Sequence, residues 1–188
     1  MNGTGTTKVP ARRIVVGVLV LLVVAAGAYA GGQPEVSVDD DGMKSVEADG
    51  LAFEWRIDDD EIEVTISAPT TGWVSVGFNP ERRMAGATYV IGYVDGDEVH
   101  VRHDYGNAPT AHRSVVDLGG TSRIRPTGGR EANGRTEISF RLPLDPGDEF
   151  YAPIVPGSEN TIIWAYGSDG AKSFTAYHER RGSFTVEL

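Results

Sequence analysis

Few side chains in this sequence could bind a metal or act on a substrate. The 188 residues contain four histidines, three methionines including the initiator, and no cysteine. The missing thiols exclude disulfide frameworks, thiolate zinc sites, iron–sulfur clusters, covalent c-type haem and cysteine nucleophiles. Any cofactor has to be held by nitrogen, oxygen or thioether donors. His100 and His103 lie three apart on a predicted strand, so alternation sends them to opposite faces, a poor arrangement for sharing one ion. Both are expected at the surface. His112, in a polar segment with Pro109 and Arg113, is expected in an exposed loop, and Met43 is read as a packing residue in a linker or first strand.

Met84 and His178 stand apart. Met84 falls in the otherwise polar loop 79–87, directly after an aromatic strand, and His178 lies between Tyr177 and Glu179-Arg180-Arg181 just ahead of the last predicted strand. Each has a plain structural account, Met84 folding back on a sheet edge and His178 capping a loop. A pair so far apart in sequence is no motif by itself.

No catalytic constellation accompanies them. Ser114 is near His112, but nothing fixes a Ser–His–Asp geometry and there is no Gly-x-Ser-x-Gly elbow. Gly119-Gly120 and Gly128-Gly129 lack the Lys-Ser/Thr pair of a phosphate loop and read as turns. Seventeen basic and 27 acidic residues give a net charge of −10, and the first 33 residues hold Lys8, Arg12 and Arg13 with no acid, so the remainder is more acidic still. Such a domain repels phosphate backbones, and no nucleic-acid partner is expected.

The elements that must position these residues are strands. The 24 glycines and 10 prolines favour turns over long helices, and no segment shows a sustained helical period. Residues 61–67 alternate Glu-Ile-Glu-Val-Thr-Ile-Ser and residues 136–142 Thr-Glu-Ile-Ser-Phe-Arg-Leu, the pattern of half-buried antiparallel strands. Further strands are expected at 51–57, 73–78, 88–94, 99–103, 160–166 and 184–188, with hairpin turns at 58–60 and 95–97. The fold class is therefore all-β, an antiparallel two-sheet β-sandwich.

One hydrophobic helix is expected ahead of it. Lys8, Arg12 and Arg13 precede an apolar run from Ile14 that ends in Ala28-Tyr29-Ala30, the layout of an export signal or of an uncleaved N-terminal membrane anchor. The basic flank keeps the N-terminus cytoplasmic and places the rest outside the membrane. The chain divides into a signal peptide or anchor at 1–33, a linker at 34–42 and a β-sandwich domain at 43–188. The acidic Asp39-Asp40-Asp41 lacks the spaced ligands of a calcium loop and reads as solvated linker.

Two central segments, Gly72-Trp73-Val74-Ser75-Val76-Gly77-Phe78-Asn79 and Met84-Ala85-Gly86-Ala87-Thr88-Tyr89-Val90-Ile91-Gly92-Tyr93-Val94, are followed in order by Ser139 to Leu144, Ile163 to Gly167 and Tyr177 to Gly182. The series resembles the DOMON domain family over nearly everything from Met43 to Leu188. That resemblance implies an extracytoplasmic Ig-like sandwich that binds b-type haem or a sugar. In members with haem, such as the cytochrome domain of cellobiose dehydrogenase, a methionine after the Gly-Trp strand and a histidine near the C-terminal end hold the iron. By position these are Met84 and His178.

The implied function is a one-electron transfer module using non-covalent haem b, with no catalytic site of its own, because thioether and imidazole together fill both axial positions. Trp73, Phe78, Tyr89, Tyr93, Trp164, Tyr166 and Tyr177 are candidates to line the haem slot, or are ordinary sandwich core. Arg82, Arg83, Arg180 and Arg181 flank the two ligands and could pair with propionates, Arg181 foremost, or are solvated loop charges. The implied partner is a redox protein or a membrane electron carrier. The alternative is a carbohydrate- or small-ligand-binding module of the same fold without haem.

Overall fold

The computed structural model describes residues 34–188. The expected N-terminal helix, with its signal or anchor role, lies outside the described residues, and among those described no helix is long and apolar enough to cross a membrane. The described residues form twelve strands: β1 (Ser37–Val38), β2 (Lys44–Ala48), β3 (Leu51–Asp58), β4 (Glu61–Ala68), β5 (Val74–Phe78), β6 (Thr88–Asp95), β7 (Glu98–Ala108), β8 (Ala111–Ser114), β9 (Arg125–Ala132), β10 (Arg135–Pro143), β11 (Glu159–Gly167) and β12 (His178–Glu187). A 3-10 turn at Val116–Leu118 is the only helical element among the described residues.

Apolar side chains at every second position can be buried only on one face of a pleated strand, so each alternating segment needs a sheet partner and a facing layer. The strands meet that need as two six-stranded antiparallel sheets, ordered β1-β2-β3-β4-β10-β9 and β12-β11-β5-β6-β7-β8. The chain changes sheet between β4 and β5, β8 and β9, and β10 and β11. One core joins the layers. Phe53 on β3 meets Phe78 on β5 at 6.2 Å between ring centroids and Phe184 on β12 at 5.8 Å, with Trp55, Val64, Ile138, Phe140 and Ile162 fully buried around them. The outer face of the first sheet is closed with ion pairs, among them Arg56–Glu63, Arg141–Asp58 and Arg130–Glu137.

Three expectations are corrected. The last strand begins at His178, six residues earlier than its apolar run suggests, because β12 keeps pairing with β11 past the point where its apolar alternation stops. β9 was not anticipated; its sequence Arg-Pro-Thr-Gly-Gly-Arg-Glu-Ala has no apolar alternation, and it is held as an edge strand by its pairing with β10. His103 is buried, at 4% exposure. The alternation that separates it from His100 points it inward, edge-on to Tyr151 at 5.9 Å, where its Nδ1 accepts the Arg123 backbone N–H at 3.2 Å. Burial pushes its pKa down to about 4.

Candidate functional site

The outward face of the second sheet carries a groove. Cross-strand register explains its floor: Ser75 pairs with Ile91 and Ala165, Gly77 with Tyr89 and Ile163, Ile163 with Ser183, and Ala165 with Arg181. Small residues thus occupy the centre of a surface flanked by larger ones, leaving a shallow bed. Gly77 is required there, since a Cβ at that position would lie 2.6 Å from the Tyr89 ring and 2.9 Å from Ile163. The groove encloses about 810 Å³, within the ordinary range for small-molecule sites.

Two loops raise its walls. The first carries Met84. Gly86 donates to the Gly106 carbonyl at 2.8 Å, Gly106 donates back to Ala87 at 2.9 Å, and Met84 N–H reaches the Pro109 carbonyl at 3.4 Å. A Cβ at Gly106 would fall 1.7 Å from the Met84 carbonyl oxygen, so the loop sits on β7 only because residue 106 has no side chain. Asn79 anchors the start of the loop, its amide donating to Pro153 and Asn160 and its oxygen accepting the Thr161 N–H.

The second wall runs from Ser173 to His178. Phe174 packs on Tyr93 at 5.0 Å between centroids and under the Arg102 guanidinium at 4.6 Å. At the head of β12 the register slips, Tyr166 facing Arg180 and Gly167 facing His178. This bulge inserts one residue. Strict alternation with Arg181 and Ser183 would turn His178 away from the groove; with the extra residue it lines the groove beside them.

Met84, His178, Trp73, Tyr89, Tyr177 and Arg181 therefore share one groove, with Arg83 and Trp164. Tyr177 is 83% exposed at the lip, its ring 4.4 Å from that of His178. Phe78 and Tyr166 are core residues on the opposite face, and Arg82 and Arg180 lie outside the lining. His178 has its pKa lowered by burial first and by the Arg181 charge second, which favours the neutral imidazole that a metal needs.

Residues missed from the sequence complete the wall. His112, expected in an exposed loop, is half-buried on β8, stacks on Tyr89 at 5.2 Å and donates from Nδ1 to Asp104 at 2.5 Å. Asp104 has no exposed surface and also accepts two hydrogen bonds of 2.6 Å from Arg102. Burial alone would raise its carboxyl, but the hydrogen bonds from His112 and Arg102 with the guanidinium charge outweigh it and hold it below the usual range. The i, i+2 spacing of Arg102 and Asp104 was the sequence signal; Ile91, Ile163, Ala165 and Phe174 gave none.

The donor set suits a flat, anionic, iron-bearing macrocycle better than a bare ion. No cluster of three His, Asp or Glu among the described residues could hold a metal, whereas one thioether and one neutral imidazole suffice where a porphyrin supplies the other nitrogens. The lining contains Arg83, Arg102 and Arg181 and not one carboxylate. Trp73 Nε1 and Tyr89 OH, on residues that line it, are buried without a hydrogen-bond partner among the described residues.

Comparison with known proteins bears on the family and the fold. The model of a family described as the DOMON domain matches residues 47–167. The chain is 26% identical over 118 residues to MOXD1 homolog 2 of Drosophila melanogaster, covering 63% of this chain and 15% of that much longer protein. Its fold is similar to the cytochrome b domain of pyranose dehydrogenase from Coprinopsis cinerea, with a TM-score of 0.59 and 17% identity over 81% of this chain and 87% of that one. It is likewise similar to the cytochrome domain of Myriococcum thermophilum cellobiose dehydrogenase, with a TM-score of 0.58 and 12% identity over 82% and 88%.

Proposed function

The chain belongs to the DOMON domain family, and from that premise we propose that it is a b-type haem-binding module for one-electron transfer, acting outside the cytoplasmic membrane as a released or N-terminally anchored domain. The observation that carries the reading is that Met84 and His178, far apart in sequence, line one groove whose lining holds no carboxylate. Two of the solved folds it resembles are cytochrome domains of sugar dehydrogenases.

Met84 and His178 would hold the haem, which supplies reversible ferric–ferrous chemistry when bound. The Met84 thioether favours the ferrous state, and the neutral His178 imidazole offers its lone pair. Arg181 and Arg83 would meet the propionates. Ser75, Gly77 and Ala165 leave the bed flat, while Trp73, Tyr89 and Phe174 wall it from water. With Met84 and His178 both engaged in holding it, the group would exchange single electrons with a redox partner, protein or membrane carrier, and the domain would not act as an enzyme by itself.

The exposed Tyr177 ring also supports a second reading, in which the groove takes a sugar that stacks on it. Titration of the full chain with haemin, and separately with a panel of oligosaccharides, divides the two. Uptake of a single equivalent of haemin with a sharpened, shifted Soret band is the expected result. Sugar binding by a chain that leaves haemin free would replace the haem reading with the second.

A further inference from the structure

The groove is a basic island on an acidic protein. Arg82 and Arg83 lie on the Met84 loop, Arg180 and Arg181 follow His178, and none of the four guanidiniums is in an ion pair among the described residues. On the first sheet, by contrast, Arg56, Arg125, Arg130 and Arg141 are each paired to carboxylates. The acids near the mouth are Glu81 on the Met84 loop, with Asp49 and Glu179 bordering the recess beside His178. Two propionates would engage Arg83 and Arg181, the unpaired guanidiniums that line the groove; Arg82 and Arg180 are exposed outside that lining, Arg180 with Arg181 bordering the recess that also holds Asp49 and Glu179. Beside His178, Tyr177 is the most exposed large hydrophobic side chain of the described residues, its ring against that of His178.

Unpaired cations around an exposed aromatic ring are what a docking face offers to a partner of opposite charge. We propose that the lip formed by Tyr177, Arg82, Arg83, Arg180 and Arg181 is where a redox protein docks through an acidic surface, with the edge at Tyr177 and His178 as the point of electron exit. This rests on the haem reading and adds to it the site and the charge of the partner. It also separates local from global electrostatics. A net charge of −10 repels an acidic partner at long range, whereas the lip attracts it within a Debye length of about 10 Å at 0.1 M salt.

Small oxidants of opposite sign test the face. The reduced, haem-loaded full chain is mixed with hexacyanoferrate(III), an anion, or with tris(phenanthroline)cobalt(III), a cation, at low and high salt; each accepts one electron from the ferrous iron, leaving it ferric. The docking face requires the anion's rate to fall as salt is added, against the sign of the net charge, and the cation's rate to rise. Charge reversal at Arg82→Glu with Arg180→Glu is expected to slow the anion roughly tenfold at low salt and to leave its rate at high salt as it was. An anion rate that rises with salt, or a reversed variant that behaves as the parent, overturns the proposal while the haem spectrum stands. A chain that takes up no haem overturns both readings, and is recognised as colourless before any oxidant is added.

Discussion

The two proposed ligands differ from the other histidines and methionine in what surrounds them. Met84 is half-buried on a pinned loop and His178 is turned into the groove by a bulge, whereas His103 is enclosed between the sheets with its Nε2 unpartnered. That enclosure has a pH signature. A histidine whose folded pKa is about 4 against an ordinary 6.5 stays neutral in the fold while the unfolded chain takes up a proton, so stability falls as the pH drops from 6.5 to 4. The loss is about 3 kcal/mol. Urea unfolding across that range is expected to show the decline in the parent and a flatter profile in His103→Gln. The chemistry of these residues was legible in the sequence by type, and alternation separated His100 from His103. Which of the two faces inward was not, because a histidine in a strand carries no mark of burial until the opposing sheet is in place.

At the scale of the element, the site depends on backbone contacts that leave little trace in composition. Gly106 is one glycine among 24, yet the Met84 loop rests directly on it. Gly106→Ala is expected to cost about 1 to 3 kcal/mol and to weaken haem binding by shifting Met84, measured by denaturant unfolding and haem titration. Asp104 joins β7 to β8 through His112 and to Phe174 through Arg102. Removing its charge leaves a half-buried guanidinium without its counter-ion, so Asp104→Asn is expected to destabilise the fold by about 3 kcal/mol, read as a lowered unfolding midpoint. Strands with apolar alternation, such as β4 and β10, were readable directly. β9 and the head of β12 were not, since their place is set by pairing with a neighbour and by a bulge, neither of which has a periodicity to detect.

At the scale of the whole molecule, the sandwich brings residues far apart in sequence onto one face. β5 and the Met84 loop come early, β12 comes last, and β11 between them aligns the two because it pairs with both. The ordered series of segments that resembles the family includes these strands, so the resemblance itself names Met84 and His178 as the residues to test. The surface charge is uneven as well: Arg56, Arg125, Arg130 and Arg141 are paired to carboxylates on the first sheet, whereas Arg83 and Arg181 at the groove are in no ion pair among the described residues. The most direct test of the account is the absorption spectrum, oxidised and dithionite-reduced, of the full chain produced with haem, beside Met84→Ala and His178→Ala. The account predicts a sharp Soret band with resolved α and β bands on reduction in the parent, lost or converted to a high-spin form in each variant. A parent without that spectrum, or variants that retain it unchanged, would contradict the assignment of Met84 and His178.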